Sequence, residues 1–259
     1  MVSFLEGLAL QWVDEFARYF LIAGAVFVLL RLVLAPLKRH RNVQPKKADR
    51  KRIWREVLYS ARTCLVFAVI ALGIDAGVEA GILKIHTEEG RWLETAGATL
   101  LMIVAHDAYF YWAHRLMHHP RLFRLFHITH HKSHAPTPWT AYSFDWAEAL
   151  VMASFLPLFT ALVPIHAAGA IFWAFHQLIR NALGHSGVEI MPRWLAASPR
   201  WGWMTSVMHH DMHHRHYNAN FGLYFTWWDR LMGTEHPDYR AEYDRVTLRA
   251  KRNEVPARA

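Results

Sequence analysis

The first half of the chain alternates between long apolar stretches and short polar segments. Apolar residues dominate three stretches, at 16–37, 57–83 and 92–112. Each is close to the roughly 20 residues that a helix needs to span the core of a bilayer. The second stretch is interrupted near its end by four glycine and acidic positions, Gly73, Asp75, Gly77 and Glu79. The pattern therefore predicts three membrane helices, the second of which leaves the hydrocarbon before Leu83.

Two shorter apolar runs follow, at 147–162 and 165–183, with Val163 and Pro164 between them. At this length they are either tilted spans or the arms of a re-entrant helical hairpin, and in both cases their open ends face the same side. The sequence thus predicts an all-α fold, a transmembrane bundle of about four or five membrane helices. No repeat or low-complexity linker divides the chain, so we expect a single integral-membrane domain over 1–259.

A basic segment between the first two apolar stretches predicts how the bundle is oriented. Between positions 38 and 55, Asp49 is the one acidic residue among nine basic ones, Lys38, Arg39, Arg41, Lys46, Lys47, Arg50, Lys51, Arg52 and Arg55. A short basic loop between spans marks the cytoplasmic side of a membrane, whereas the alternative is a solvated charge run in a soluble protein. Counting spans from this loop also places 113–146 and 184–259 in the cytoplasm. The net charge of +8 is thereby explained without a nucleic-acid partner.

The composition excludes disorder and points to metal. Hydrophobic residues make up 53% of the chain and charged residues 19%, which is the opposite of a disordered composition. A single cysteine, Cys64, excludes an intrachain disulfide and any cysteine-rich zinc or iron–sulfur site. The chain nevertheless contains 19 histidines, and a residue so abundant and so often a metal ligand favours a metalloprotein.

The histidines occur in three spaced clusters within the predicted cytoplasmic segments. In the first, His114 and His118 are four residues apart, so on a helix they lie on one face and can share a metal, as in an HExxH helix. The other two clusters have the form HxxHH, whose three imidazoles can point into one polar pocket of a helix; they are His127, His130 and His131, and His210, His213 and His214. Each cluster alone is also typical of a polar surface patch.

The number of imidazoles suggests how many ions are bound. Eight exceed what one tetrahedral zinc can use and suit two ions with about four or five ligands each. Imidazole accommodates Zn, Cu, Fe and Ni. Because the clusters lie at the end of membrane spans, next to apolar substrates, dioxygen activation and therefore iron is favoured.

The motifs YFYWAHRLMHH, FHITHH, HHDMHH and NANFGLYFTWWDRLMGT resemble those of the membrane-bound fatty acid hydroxylase/sterol desaturase superfamily. The resemblance covers about residues 98–240, which we take as the catalytic region. It implies a non-haem di-iron centre held by histidines on a cytoplasmic helical cap over the membrane bundle. It also implies O2-dependent hydroxylation or desaturation of a lipid, with two Fe as cofactor, O2 as co-substrate and Zn as a substitute in purified protein.

The resemblance also implies the ligands. It carries over nine metal-binding histidines, His114, His118, His127, His130, His131, His185, His210, His213 and His214. His185 lies in the His-Ser-Gly segment that precedes the final box, and Asn181 stands where some relatives have a further histidine. Asn181 could bind weakly, bind through water or orient a partner, and His119 is an alternative to His118.

The roles of several further polar residues stay open. His134, His209 and Asp211 are candidates for metal binding or for supporting a ligand, and His106, Tyr109, Trp112 and His176 for a substrate channel. An interhelical hydrogen bond is the alternative for His106. Metal-bound imidazoles usually donate their other N–H to a carboxylate or carbonyl, and the candidate acids are Asp107, Asp145, Glu148, Asp211 and Asp229. For Asp229 the alternative is a salt bridge to Arg115 or Arg230.

The sequence has no G-x-G-x-x-G fingerprint, cysteine-ligated cluster or His-Pro-Gly-Gly segment of a fused cytochrome domain. We therefore expect a separate electron donor, a ferredoxin, cytochrome or reductase, and a location in a bacterial inner membrane or, in a eukaryote, the endoplasmic reticulum. The alternative function is that of a membrane metal-binding or transport protein, and a zinc hydrolase is disfavoured because HExxH is missing. Sterol, fatty acyl, alkyl-lipid and carotenoid substrates stay open, as does hydroxylation against desaturation.

Overall fold

The computed structural model describes most of the chain, namely residues 3–35, 39–44, 48–88, 91–196, 198, 200 and 202–253. The predicted end of the first span at position 37 lies outside the described residues. So do three of the predicted basic-loop residues, Lys38, Lys46 and Lys47.

Two long helices open the fold. Helix α1 covers Phe4–Val26 and continues as a π-helical segment, Phe27–Leu34; a single turn of 3₁₀ helix, Arg39–Arg41, follows. Helix α2 covers Arg50–Glu79, and the side chain of Asp49 caps its first turn by accepting from Arg52 N. Among the described residues these are the two helices that are long and apolar enough to cross a membrane, by length and composition only.

The second long helix ends before Leu83, where the sequence predicts that the second span leaves the hydrocarbon. Helix α2 runs unbroken through Gly73 and Gly77 and ends at Glu79. The chain leaves the helix at Gly81, whose φ of +70° is the left-handed conformation that glycine adopts after a helix at little cost. A glycine inside a helix lowers its stability without ending it, whereas the left-handed glycine does end it.

Three further helices complete the bundle: α3, Trp92–Met117; α6, Trp146–Leu162; and α7, Ala167–Gly184. They match the three predicted apolar segments, although α3 continues past position 112 as far as the first histidine box. Strands β1, Ile85–His86, and β2, Ile165–His166, pair in parallel with Ile85 opposite Ile165. The fold is therefore mostly helical rather than strictly all-α, and the count of four or five spans stays a prediction.

Short helices gather at one end of the bundle. They are α4, Phe123–Phe126; α5, Ile128–His131; a 3₁₀ turn, Pro138–Tyr142; α8, Arg193–Ala196; α9, Val207–His216; α10, Trp227–Leu231; and α11, Tyr239–Asn253. Met208 and Met212 of α9 pack with Tyr239 and Tyr243 of α11 in a separate apolar cluster. This second core fixes α9, which carries the last histidine box.

The interior and exterior of the bundle are both apolar. Inside, Tyr19 donates a hydrogen bond to Trp139 O at 2.7 Å and packs with Cys64 and Leu178. Outside, large apolar side chains are exposed, including Leu21 on α1 (70%) and Leu58 on α2 (66%). Contiguous apolar surface of this kind marks contact with lipid or a partner, and on two long apolar helices it favours lipid.

Candidate metal centre

The three histidine boxes converge where the long helices end. His114 lies in the last turn of α3 and His118 caps that helix, while His185 caps the end of α7. The second box lies on and just before α5. Asp145 fixes this helix, because the Asp145 carboxylate accepts from Thr129 N at 2.9 Å and from Thr129 Oγ1 at 2.5 Å. The third box lies along α9.

The nine histidines form two groups, in each of which the donor nitrogens lie within 4.8 Å of one another. The five-histidine group consists of His114, His118, His127, His131 and His213. The four-histidine group consists of His130, His185, His210 and His214. These are the nine candidates from the sequence, and all except the half-buried His118 are buried.

Helical spacing explains how the boxes are divided. Residues four apart share a helix face, so His127 and His131 enter the five-histidine group together, and His210 and His214 enter the four-histidine group together. The remaining histidine of each HxxHH box, His130 or His213, points to the other group. Each HxxHH box thus contributes to both groups, whereas the sequence alone suggested that the three histidines of such a box share one pocket.

Backbone carbonyls fix the tautomers of three of these histidines. The Nδ1 atoms of His114, His185 and His213 lie 2.8, 2.7 and 2.8 Å from the carbonyl oxygens of Phe221, Asn181 and Ala219. A carbonyl can only accept, so each Nδ1 carries the proton. In a neutral imidazole the other nitrogen, Nε2, then presents a lone pair.

The Nε2 atoms crowd together across the centre. His127 Nε2 lies only 3.0 Å from His114 Nε2, and His127 Nδ1 lies 2.7 Å from Glu148 Oε1. His185 Nε2 likewise lies 2.9 Å from His210 Nε2. Nitrogens that share a metal at about 2.1 Å are spaced about 3.0–3.4 Å apart. The residues present therefore fit metal ions.

Burial keeps the ligands in the form that binds metal. Desolvation lowers the pKa of His127 and His213 well below the ordinary value, and neighbouring imidazoles lower it further. Desolvation also lowers the pKa of His185, to about 4, although its hydrogen bond to Asn181 O acts in the opposite direction. These imidazoles are therefore neutral at pH 7, as metal ligation requires.

Besides Asp145, two of the candidate acids lie beside the centre. Glu148 Oε1 lies 2.7 Å from His127 Nδ1, as described. Asp229 accepts from Phe221 N at 2.9 Å, Gly222 N at 2.8 Å and Thr234 Oγ1 at 2.7 Å, and so it holds the loop whose carbonyl orients His114. The alternative salt bridges are not formed in the described structure, because Arg230 pairs with Glu235 at 3.1 Å and Arg115 donates to Tyr111.

The other candidate acids and the amide act elsewhere. Asp107 accepts from the backbone N–H groups of Tyr224 and Phe225, at 2.8 and 3.1 Å. Asp211 pairs with Arg215 at 2.9 Å. The side-chain amide of Asn181 donates to Ala141 O at 2.7 Å, and its backbone carbonyl accepts from His185 Nδ1.

Three further candidate histidines lie outside both groups. His119 is exposed, and its Nδ1 accepts from Arg121 N. His134 is also exposed, with Nδ1 3.0 Å from the hydroxyl of Tyr217. His209 is buried, with Nε2 3.5 Å from Asp229 Oδ2, and burial lowers its pKa to about 4.

The sequence did not reveal which carbonyls orient the ligands. Two of the three, Ala219 O and Phe221 O, follow α9 in a segment where Tyr217 and Asn220 take positive φ, 64° and 60°. Such a backbone is unusual for residues other than glycine, and it turns Ala219 O and Phe221 O back toward the centre. The Asn-Ala-Asn-Phe-Gly motif was the signal, because asparagine tolerates this conformation.

An apolar cavity of about 240 Å³ adjoins the centre, between α1, α2, α3, α6 and α7. Phe110 and Phe144 line it, and their rings lie 5.0 Å from His114 and 5.5 Å from His130, centre to centre. Asn181, one turn before His185, also lines it. The cavity thus ends against ligands of both groups.

One of the four channel candidates lines this cavity. His106 does so while its Nδ1 lies 2.7 Å from the hydroxyl of Tyr224, which lies in the loop before α10 rather than in a helix. The other three are not among the described lining residues. Tyr109 donates to Val151 O, Trp112 is 45% exposed and packs against Trp228, and His176 packs against Tyr224.

Several named proteins are similar to more than half of this chain. A Delta(7)-sterol 5(6)-desaturase of Gibberella zeae is 33% identical over 59% of this chain and 46% of its own length. A methylsterol monooxygenase of Rattus norvegicus is 30% identical over 63% of this chain and 55% of its own. A very-long-chain aldehyde decarbonylase of Oryza sativa is 34% identical over 54% of this chain and 23% of its own. The chain spans about half the length of the first two, and no solved structure matches it significantly.

A comparison with protein-family profiles covers the region that carries the histidines. The profile of the fatty acid hydroxylase family matches residues 99–234, more than half of the chain and all nine histidines of the two groups. The similarity to a sterol desaturase and to a methylsterol monooxygenase agrees with that family match. The chain is a member of the fatty acid hydroxylase/sterol desaturase superfamily.

Proposed function

We propose that the protein is a membrane-bound di-iron oxidoreductase that uses O2 to hydroxylate or desaturate a lipid. The observation that carries the proposal is the pair of all-histidine groups at the end of an apolar cavity. An apolar substrate lying in that cavity reaches the metal ligands without crossing water. The names of the relatives, a sterol desaturase and a methylsterol monooxygenase, support the same class of reaction.

The ligand set favours iron over zinc. The five-histidine group would hold one ion and the four-histidine group the other, with His118, the least buried ligand, at the edge. Structural zinc sites are closed by four ligands, and five imidazoles exceed that number. Bound iron would supply the electrons that reduce dioxygen while a C–H bond of the lipid is oxidised. Zinc can take the same nitrogens in purified protein.

The chain's own residues hold this centre and keep it dry. The carbonyls of Phe221, Ala219 and Asn181 keep protons on the far nitrogens of three ligands, which directs their lone pairs inward. Glu148 lies beside the far nitrogen of His127. Phe110 and Phe144 line the end of the cavity next to the ligands, so a lipid held there would lie beside the metals, and their rings would keep water out of an oxidising site.

The orientation of the protein follows from the basic start of α2. Arg55 there donates to Lys132 O at 3.4 Å, one residue beyond the second histidine box. The exposed basic residues Arg50 and Lys51 are therefore at the same end of the bundle as the metal centre. The positive-inside rule then makes this end cytoplasmic, and a separate ferredoxin, cytochrome or reductase would deliver electrons there.

The test is lipid mass spectrometry of cells that express the wild type, His213→Ala or His119→Ala under ¹⁸O-labelled dioxygen. The exposed His119 lies outside both groups, so its variant is the matched control. We expect a new lipid in the wild type and the control but not in His213→Ala. One labelled oxygen in that lipid indicates hydroxylation, and loss of two hydrogens without label indicates desaturation. Identical lipids from all three proteins, with the wild type loaded with iron and a reductant supplied, would refute the proposal.

A further inference from the structure

A charged pair lies inside the first candidate membrane helix. Glu15 and Arg18, one turn apart on α1, form an ion pair, and their side chains are only 16% and 21% exposed. Both line the cavity described above. Ionisable residues within a membrane helix are costly and rare, and where they occur they commonly mark a substrate or ion pathway.

Two uncharged polar side chains line the same cavity. Gln177 of α7 donates to the hydroxyl of Tyr142 at 2.5 Å, and both residues line the cavity. The guanidinium of Arg18 lies 5.9 Å from the ring of Phe175, which places it beside the same turn of α7 as Gln177. We call Glu15, Arg18, Tyr142 and Gln177 the polar ring, since the remaining walls are mostly apolar.

The polar ring lies two helical turns from the metal centre. Gln177, Asn181 and His185 succeed one another at intervals of four residues, so they share one face of α7. At a rise of 1.5 Å per residue, Gln177 is about 12 Å from His185 along the helix axis. His106 and His114 have the same spacing on α3. A lipid whose polar end lies at the ring therefore reaches the centre with the carbons that are about ten bonds from that end.

The charge of the ring selects the polar group that it can bind. Arg18 is neutralised by Glu15, and a second carboxylate oxygen, Asp14 Oδ2, lies 3.7 Å from Arg18 Nη2. The ring therefore carries no net positive charge. A carboxylate there would face Glu15 without compensation. A hydroxyl can donate to Glu15 and accept from Arg18 or Gln177.

We propose that the polar ring binds the hydroxyl group of a neutral lipid alcohol, whose reacting C–H bond lies about 12 Å away at the histidine centre. This assignment rests on the proposed function, since it takes the cavity as the substrate site. It specifies a substrate whose oxygen anchors one end of the molecule while a remote carbon is oxidised.

The test is a binding competition with the purified full chain in lipid nanodiscs under nitrogen, which prevents turnover. The probes are hexadecanol, hexadecane and palmitate, which share a chain length and differ in the terminal group. We expect hexadecanol to bind about five- to tenfold more tightly than the other two, the effect of one or two hydrogen bonds in an apolar site. Gln177→Leu and Tyr142→Phe should each abolish most of this preference. The matched control Gln11→Leu, on α1 but outside the cavity lining, should keep it.

Equal binding of the three probes to the wild type, a preference for palmitate, or an equal loss in Gln11→Leu would overturn the assignment. Tyr142→Phe removes a single oxygen, so retained metal content in that variant separates loss of the hydroxyl from misfolding. The readout needs neither iron nor oxygen. A preference for hexadecanol in a protein that oxidises no lipid would refute the proposed function alone, whereas oxidation without the preference would refute the polar ring alone.

Discussion

The imidazole of His114 shows how the fold prepares a metal ligand one residue at a time. Its Nδ1 is held at 2.8 Å by Phe221 O, and its Nε2 faces His127 Nε2 at 3.0 Å. The first contact fixes the proton on Nδ1, and the second brings two ring nitrogens to the spacing of ligands that share a metal. A cation between the two nitrogens would bind both.

The division of the histidines into two groups predicts two separable ions. His118→Ala removes a ligand of the five-histidine group, and His214→Ala removes one of the four-histidine group. We expect each variant to bind about one metal per chain where the wild type binds two, measured by elemental analysis after dialysis. His119→Ala should bind as the wild type does. Two separate sites would be contradicted if either variant lost both ions, or if both variants kept two.

Glu148 should tune affinity without being a ligand itself. Its Oε1 lies 2.7 Å from His127 Nδ1, and loss of such a partner typically weakens metal binding 10- to 100-fold. We expect this loss in Glu148→Ala, measured by competition with a chelator. Glu148→Gln keeps an acceptor oxygen and should lose much less. Equal losses in the two variants would show that the hydrogen bond is not the cause.

At the scale of elements, a loop rather than a helix carries much of the positioning. The carboxylate of Asp229 accepts three hydrogen bonds, two of them from the segment that holds His114 in place. Asp229→Ala leaves those donors buried without a partner, and we expect a loss of about 3–5 kcal/mol in the free energy of unfolding. Denaturant unfolding measures it.

The same variant should affect the two metal groups unequally. The five-histidine group contains His114 and should release its ion faster, whereas the four-histidine group should not change. Biphasic release to a chelator, with one phase accelerated, is the expected result. Asp229→Asn, which keeps one acceptor, is the milder control. Uniform acceleration of both phases would show that Asp229 stabilises the fold without orienting a ligand.

Local spacing made much of this element level predictable. Intervals of four residues on a helix put His114 beside His118 and His210 beside His214, and the apolar runs located the bundle helices α3, α6 and α7. The way each HxxHH box divides between two groups was not predictable, because it depends on the angle at which α5 and α9 meet. The end of α2 depended on the left-handed conformation of Gly81, and a sequence pattern does not specify the φ of a glycine.

Long-range contacts were beyond the sequence for a different reason. The roles of Phe221 O and Ala219 O arise from backbone atoms, which every residue possesses. The Asn-Ala-Asn-Phe-Gly motif indicates the unusual backbone conformation there but not which carbonyl meets which histidine. The cavity walls come from five helices that are far apart along the chain. His106 was identified as a lining candidate because it is polar in an apolar segment. Tyr109 and Trp112 are not among the described lining residues, since Tyr109 donates to Val151 O and Trp112 packs against Trp228.

At the scale of the whole molecule, the arrangement joins three environments along one axis. Exposed apolar faces of α1 and α2 suit a bilayer, the cavity between the helices suits a lipid, and the buried histidines at its end suit metal. The basic start of α2 is next to that same end through Arg55 and Lys132. Under the proposed orientation, a lipid would enter from the membrane while electrons would arrive from the cytoplasmic side.

An iron titration of a single turnover tests the central claim most directly. Metal-stripped protein is loaded anaerobically with increasing ferrous iron, mixed with lipid extract from cells that form the product, and exposed once to dioxygen. Oxidation of one C–H bond alongside reduction of dioxygen needs two further electrons, and two ferrous ions supply them. We predict that oxidised lipid appears steeply as the second iron binds and that zinc-loaded protein forms none. Full product with one iron per chain, product with zinc alone, or no product from the fully loaded protein would contradict the account.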